Sequence, residues 1–305
     1  MSVSDSLQRV SGSAETAWHA RFREYGLMWR AFQRDRLAVL SLVVILAFMV
    51  AAVFAMRLAP YPDQATGKAD VAQKFQAPSS EHLLGTDDLG RDVLSRLLVG
   101  SRSSLGIGFL VVGIAMSIGT PLGAVAGYFG GWPDQAIMRI TDVFLSFPAL
   151  LLAIAISSAL GPSLVNAMIA IALTWWPWYT RLARAQAVAL KERSFIEAAR
   201  CVGASAPTIV REHVLPNVLT PALVQATMDI GGAILMGAAL SFVGLGVQPP
   251  LADWGNMLTT ARLYFVEAPW FAICPGVAIL IVSVCFNLLG DGVRDVFDPR
   301  SRRRG

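Results

Sequence analysis

The chain has 305 residues, of which 15% are charged and 55% apolar, with a net charge of +4. Soluble domains carry about 25% charged residues, disorder requires low hydrophobicity, and basic residues scattered in short segments do not make a nucleic-acid surface. The remaining class is a polytopic membrane protein.

Residues 1–36 are polar and basic. Within them Trp18, Phe22, Tyr25, Trp29 and Phe32 recur at spacings of four and three, which is one face of a helix. Arg21, Arg23, Arg30 and Arg34 fall largely elsewhere, so the pattern predicts an amphipathic helix at the membrane interface, with contact to a partner subunit as the alternative. Runs without a single charge follow at 37–56, 103–133, 143–180, 230–252 and 268–290. A helix needs about 20 apolar residues to cross about 30 Å of hydrocarbon. The first run is too long, and too far from the N-terminus, for a secretory signal. Gly161-Pro162 divides 143–180 into two spans, and 217–240 is a span interrupted by Asp229. Six transmembrane helices are predicted, at about 37–58, 103–127, 143–160, 164–181, 217–240 and 269–290. Eighteen of the 25 basic residues then lie in 1–36, 128–142, 181–216 and 291–305. That asymmetry puts both termini in the cytoplasm, with Arg300, Arg302, Arg303 and Arg304 at the C-terminal end. The expected organisation is a cytoplasmic amphipathic segment (1–36), a first transmembrane helix (37–58), an extracytoplasmic segment (59–102), a five-helix core (103–291) and a basic tail (292–305).

In the second span Gly119, Gly123 and Gly127 are spaced by four, the pattern that lets helices approach closely. The connection 181–216 reads as helical. A helix from Arg184 to Cys201, with Val188, Phe195 and Ala199 near one face, ends at Gly203. A second, short helix follows, with Ser205 as its cap and Pro207 in its first turn; Leu215-Pro216 stops it before the fifth span. Such a helix–glycine–helix unit is shaped to dock into a groove on another protein, the alternative being a solvated loop.

Polar groups inside spans are costly and face a cavity or a partner helix. Asn166, Gln225, Asp229 and Asn287 are therefore candidates for a solute path, with pairing to another subunit equally open for Asp229. Trp175, Trp176, Trp178 and Tyr179 read as an interfacial aromatic belt, with stacking on a solute as the alternative. Gly244, Gly246, Pro249, Pro250, Trp254 and Gly255 end the fifth helix. They predict a re-entrant or surface loop, or a turn anchored by Trp254. Cys201, Cys274 and Cys285 form no Cys-x-x-Cys pair, and His19, His82 and His213 are too scattered for a metal site. A phosphate-binding loop needs a Gly-Lys pair at fixed spacing. Only Lys68 follows a glycine, and Pro62 and Ala69 break the rest of the motif. No enzyme activity is expected, and any ATP would be bound by a partner.

Glu197-Ala198-Ala199, followed by Gly203, Ile209 and Leu215-Pro216, resembles the cytoplasmic loop of the permease subunits of bacterial ABC importers. The segments 82–92, 240–250 with Trp254-Gly255, and 287–295 with Asp298-Pro299 resemble the second permease subunit of dipeptide, oligopeptide and nickel importers. The likeness spans nearly the whole chain and is weakest before residue 15. It implies an all-α polytopic protein with the type I ABC importer permease fold, in a bacterial cytoplasmic (inner) membrane. It also implies transport of di- or oligopeptides. A nickel-chelate or other small-solute importer is the alternative within the family, and a secondary transporter is a remote one. The implied partners are a second homologous permease subunit, two ATP-binding subunits that hold ATP and Mg²⁺, an extracytoplasmic solute-binding protein and the lipid bilayer, with no cofactor or metal in this chain. Glu197, Ala198, Ala199, Gly203, Ile209, Leu215 and Pro216 would form the coupling unit seated in an ATPase cleft. Gln248, Pro249, Pro250 and Trp254 would face the binding protein.

Overall fold

A computed structural model describes residues 29–30 and 32–297. Trp18, Phe22, Tyr25 and the arginines at 300–304 lie outside the described residues. Of the predicted N-terminal aromatic face, Trp29 and Phe32 stack at 5.7 Å between ring centroids; Phe32 is buried and Trp29 exposed. All named elements are helical, and the strand-like contact among the described residues is an isolated bridge between Thr86 and Asp92.

Helix starts follow local chemistry. Asp35 Oδ1 accepts from the backbone N–H groups of Leu37 and Ala38 and opens α1 (Arg36–Val53). Asp92 Oδ2 accepts from Ser95 N–H at 2.7 Å and opens α2 (Val93–Phe129). Such caps satisfy amide donors that a helix start leaves free, each worth about 1 kcal/mol. Next come α3 (Gly131–Leu145), α4 (Ala149–Leu160) and α5 (Leu164–Lys191). The Gly161-Pro162 turn occurs where the sequence places it. Gly161 has φ +89°, Ser163 Oγ accepts from Asn166 N–H, and the Asn166 amide donates to the Leu160 and Gly161 carbonyls. The remaining helices of eight residues or more are α6 (Ser194–Cys201), α7 (Ala206–Phe242), α8 (Trp254–Ala261) and α9 (Pro269–Phe297).

By length and composition α1, α2, α7 and α9 are able to cross a membrane, and α3 with α4 make a fifth candidate if the 89° bend between them lies within one span. The expected span 143–160 is thus broken. The helix ends at Leu145 and restarts at Ala149, because Pro148 has no N–H to donate and disfavours helical geometry at Phe147. The expected span 164–181 is the first part of the longer α5, whose stretch from Trp175 to Arg181 makes it too polar to qualify on composition. The expected span 37–58 breaks at Phe54, and the second span begins ten residues earlier than expected, at Val93.

The glycine stripe of α2 is the seam against α5. A methyl group on Gly119 would lie 2.3 Å from the Trp176 carbonyl oxygen and 2.7 Å from Tyr179 Cβ. On Gly123 it would lie 2.3 Å from the Thr180 oxygen, and on Gly127 2.6 Å from the Arg184 oxygen. The backbones touch where a side chain would hold them apart. Helix α7 packs on both α2 and α9. Gly231 lies against Ser283, whose hydroxyl donates to the Gly231 carbonyl at 3.1 Å.

The segment before α2 is ordered by a buried polar network. Asp87 Oδ1 accepts from the Leu89 and Arg91 amides, and Oδ2 accepts from Arg91 Nε at 2.7 Å and from Arg96. His82 lies between Asp92 Oδ1 (3.0 Å) and Gln73 Oε1 (2.9 Å). Gly90, at φ +72°, leaves no room for a side chain, since a Cβ there would overlap the Asp70 carbonyl. Burial and the charge of Asp87 push the Asp88 carboxyl above the ordinary range, while Arg91 and Arg96 pull it back.

Candidate functional site

Two features of the fold bear on function: a cavity between α5 and α7, and the tip formed by α6 and the start of α7. The cavity has a volume of about 770 Å³, and its lining includes Trp175, Trp178, Tyr179, Arg181, Gln225 and Asp229. Asp229 Oδ2 accepts from the Tyr179 hydroxyl at 2.7 Å, and Oδ1 accepts from Gln225 Nε2 at 2.9 Å. Gln225 and Asp229 are four residues apart on α7, one helical turn, so their side chains share a face. The α2 seam fixes α5 and with it Tyr179, which is buried. Arg181 on the same wall donates to Asp142 Oδ1 at 2.7 Å.

The structure brings Gln225 and Asp229 together and leaves the other two candidate path residues elsewhere. Asn166 is committed to the Gly161 turn, and Asn287 donates to its own helix at the Ser283 carbonyl. Tyr179 is buried and faces Asp229 instead of lying in an interfacial belt. Its hydroxyl bonds a carboxylate 50 positions on, a pairing for which the sequence carries no spacing signal. The aromatic run itself divides: Trp176 is buried, while Trp178 is largely exposed on the cavity wall.

The connection 181–216 forms two helices hinged on a glycine, with three departures from the expected form. Helix α5 stops at Lys191 and α6 restarts after Arg193. That break turns Ile196 and Ala199 inward and leaves Val188 and Phe195 exposed, so Val188, Phe195 and Ala199 do not form one face. Ser205 has the extended backbone of a cap, but its hydroxyl bonds the Thr208 hydroxyl at 2.8 Å. Leu215-Pro216 does not stop the helix. The chain runs on from Ala206 to Phe242 through a π-helical turn at Val210–Val214, in which Leu215 N–H bonds the Val210 carbonyl. A widened turn relieves the missing donor and the ring clash of Pro216.

Ile196, Ala199, Ile209 and Val214 share an apolar cluster with Ala124 and Tyr128 of α2 and with Ala183 and Ala187 of α5. Glu197, Ala198, Gly203 and Pro216 are exposed, Leu215 is half-buried, and Ile209 is interior. Gly203 has φ +83°, and a methyl group there would meet nothing within 4 Å. The left-handed backbone requires glycine, and the space outside it is open.

At the other end of α7 the expected loop is present. Gln248, Pro249 and Pro250 are exposed, and Gln248 Nε2 donates to the Gly244 and Gly246 carbonyls. Trp254 does not belong with them. It is fully buried, its Nε1 donates to the Leu97 carbonyl at 3.0 Å, and its ring meets Phe48 edge-on. The adjacent Asp253 caps α8 through Gly255 and Asn256 and accepts from Ser104 Oγ at 2.7 Å. Burial pushes its carboxyl above the ordinary range, against these hydrogen bonds.

Residues 119–303 match the family described as binding-protein-dependent transport system inner membrane component. The chain belongs to this family. Residues 25–78 match the N-terminal TM domain of oligopeptide transport permease C. The chain is 42% identical over 290 residues to the dipeptide transport system permease protein DppC of Alkalihalophilus pseudofirmus, covering 95% of this chain and 92% of that protein. It is 43% identical over 301 residues to the probable D,D-dipeptide transport system permease protein DdpC of Escherichia coli K12, covering 99% and 98%. It is 44% identical over 285 residues to the glutathione transport system permease protein GsiD of Escherichia coli O6:K15:H31, covering 93% and 91%. A solved structure of the MetNI methionine ABC transporter in an inward-facing conformation superposes with a TM-score of 0.53 at 23% identity, covering 67% of this chain and 97% of that one. The fold is that of a type I ABC importer permease. Members of this family are membrane permease subunits and not enzymes.

Proposed function

We propose that this permease is the second translocation subunit of an ATP-driven importer for di- or oligopeptides. Its partners are a homologous permease subunit, two ATP-binding subunits that carry ATP and Mg²⁺, and an extracytoplasmic binding protein. In this reading the chain crosses the inner membrane six times with both termini in the cytoplasm, α5 being one of the crossings. Residues 103–291 form the translocating core, after the amphipathic segment 1–36, the first helix 37–58 and the extracytoplasmic segment 59–102. Residues 292–305 form a basic cytoplasmic tail.

The observation that carries the reading is the two-sided packing of the α6–Gly203–α7 tip. Its inner face is an apolar cluster continuous with α2 and α5, so force on the tip passes to α5, one wall of the cavity. Its outer face, with Glu197, Ala198, Val202 and Gly203, is open. Glu197, Ala198 and Gly203 form the contact with the ATPase. Ala199, Ile209, Leu215 and Pro216 shape and stiffen the unit from behind. Gln225, Asp229 and Tyr179 line the solute path, and Gln248, Pro249 and Pro250 face the binding protein. Glutathione, a tripeptide named in relatives at 44% identity, is a second solute of the same chemistry.

The test is uptake of labelled peptide by the complete transporter. Glu197→Arg and Gly203→Asp are expected to abolish ATP-driven uptake while leaving all subunits assembled. Normal uptake in both variants refutes the coupling assignment.

A further inference from the structure

Among the described residues that line the cavity between α5 and α7 are one carboxyl group, Asp229, and one cation, Arg181, and only the cation has an ion-pair partner. Arg181 is paired with Asp142. Asp229 receives one hydrogen bond on each oxygen, from the neutral Tyr179 hydroxyl and the neutral Gln225 amide, and forms no ion pair with a described residue. A carboxylate offers about four acceptor positions, so two remain open on a residue that lines the cavity. Both donors hold the group in place without cancelling its charge. A carboxylate away from bulk water is costly unless a cation meets it. Trp175 and Trp178 line the same cavity, and indole faces attract cations.

The geometry points to a subsite for a primary ammonium group of the passing solute, bound by Asp229 and flanked by Trp175 and Trp178, with Tyr179 and Gln225 as positioning residues. This deepens the permease reading and rests on it for the nature of the solute: a peptide with a free N-terminus supplies such a group. The cavity at about 770 Å³ is within the usual size range for small-molecule sites.

The experiment is a fluorescence titration of the purified transporter, assembled with its second permease subunit and ATPases, using n-butylammonium, a free-amine dipeptide and its N-acetylated form. Entry beside Trp175 and Trp178 is expected to change tryptophan emission saturably for the first two probes, with the N-acetylated dipeptide at least about tenfold weaker. Asp229→Asn is expected to weaken both ammonium probes by about tenfold or more, the scale of one charge-assisted hydrogen bond, and to leave the acetylated form unchanged. Gln225→Lys keeps the carboxylate but places an ammonium one turn away, and is expected to block both ammonium probes. Equal titrations of wild type and these variants overturn the proposal, as does the absence of a saturable response to n-butylammonium in the wild type. Loss of the second permease subunit from the Asp229→Asn preparation, with Gln225→Lys binding like wild type, also overturns it and assigns the carboxylate to a contact between subunits. Ammonium binding that depends on Asp229, without ATP-driven dipeptide uptake, supports the subsite and refutes the peptide reading. Dipeptide uptake with titrations indifferent to Asp229 does the reverse.

Discussion

Gly123→Ala tests how the cavity wall is held. The added Cβ would sit 2.3 Å from the Thr180 carbonyl oxygen, 2.6 Å from Ala183 Cβ and 2.8 Å from the Arg184 amide nitrogen. All three are backbone or Cβ atoms, so no rotamer change makes room. Ordinary contact begins near 3.4 Å, and α5 must withdraw from α2 by about 1 Å to reach it. Overpacking of this kind costs about 1–3 kcal/mol. Alanine's better helix propensity returns up to about 1 kcal/mol. Tyr179 lies one turn from Ala183 on the moving helix, so its 2.7 Å bond to Asp229 is displaced with it. The assay is thermal denaturation of the assembled transporter in detergent, with Gly113→Ala as reference, since a Cβ at Gly113 meets nothing within 4 Å. Gly123→Ala is expected to melt below wild type and Gly113→Ala at or above it. Equal midpoints for the two variants refute the seam.

Other outcomes follow from the same geometry. Asp87→Asn leaves the buried Arg91 and Arg96 without their shared anion, and is expected to destabilise the protein by about 3–5 kcal/mol in a denaturation midpoint. Asp88 has a carboxyl raised by burial, so its folded form favours the proton. The wild type is penalised as pH rises from the ordinary carboxylate value through the raised one. The stability advantage of Asp88→Asn over wild type should therefore grow from about pH 4 upward and level off once the raised value is passed; an advantage that shrinks with pH contradicts this. Trp254→Phe removes the donor to the Leu97 carbonyl and is expected to lower stability by about 1–3 kcal/mol, read as a fall in melting temperature.

Much of the fold is legible in the sequence because membrane helices declare themselves by what they lack. The charge-free runs, the Gly161 turn, the glycine stripe and the left-handed Gly203 each follow from a local rule, and each is present. The departures come from tertiary contacts. Pro148 breaks a helix that composition runs straight through, whereas Pro216 does not break one, because the π turn at Val210–Val214 absorbs it. Trp254 looks like a surface anchor in a Gly-Pro loop, but it fills the space under Leu97 and Phe48. Of the four polar candidates for a path, the two one turn apart on α7 come together. Asn166 and Asn287 are satisfied by nearby carbonyls, a local alternative open to short amide side chains. Tyr179 joins the cavity only because the glycine seam fixes its helix, which no spacing in its own segment reveals.

In the proposed function this permease moves peptides with energy received through the α6–Gly203–α7 tip. The most direct test is dipeptide uptake into proteoliposomes holding the complete transporter, with ATP on the tip side and the binding protein with labelled dipeptide on the other. Uptake is expected to require ATP and to be lost in Gly203→Asp with the subunits still assembled. Uptake without ATP, or ATP-driven uptake undiminished in Gly203→Asp, contradicts it.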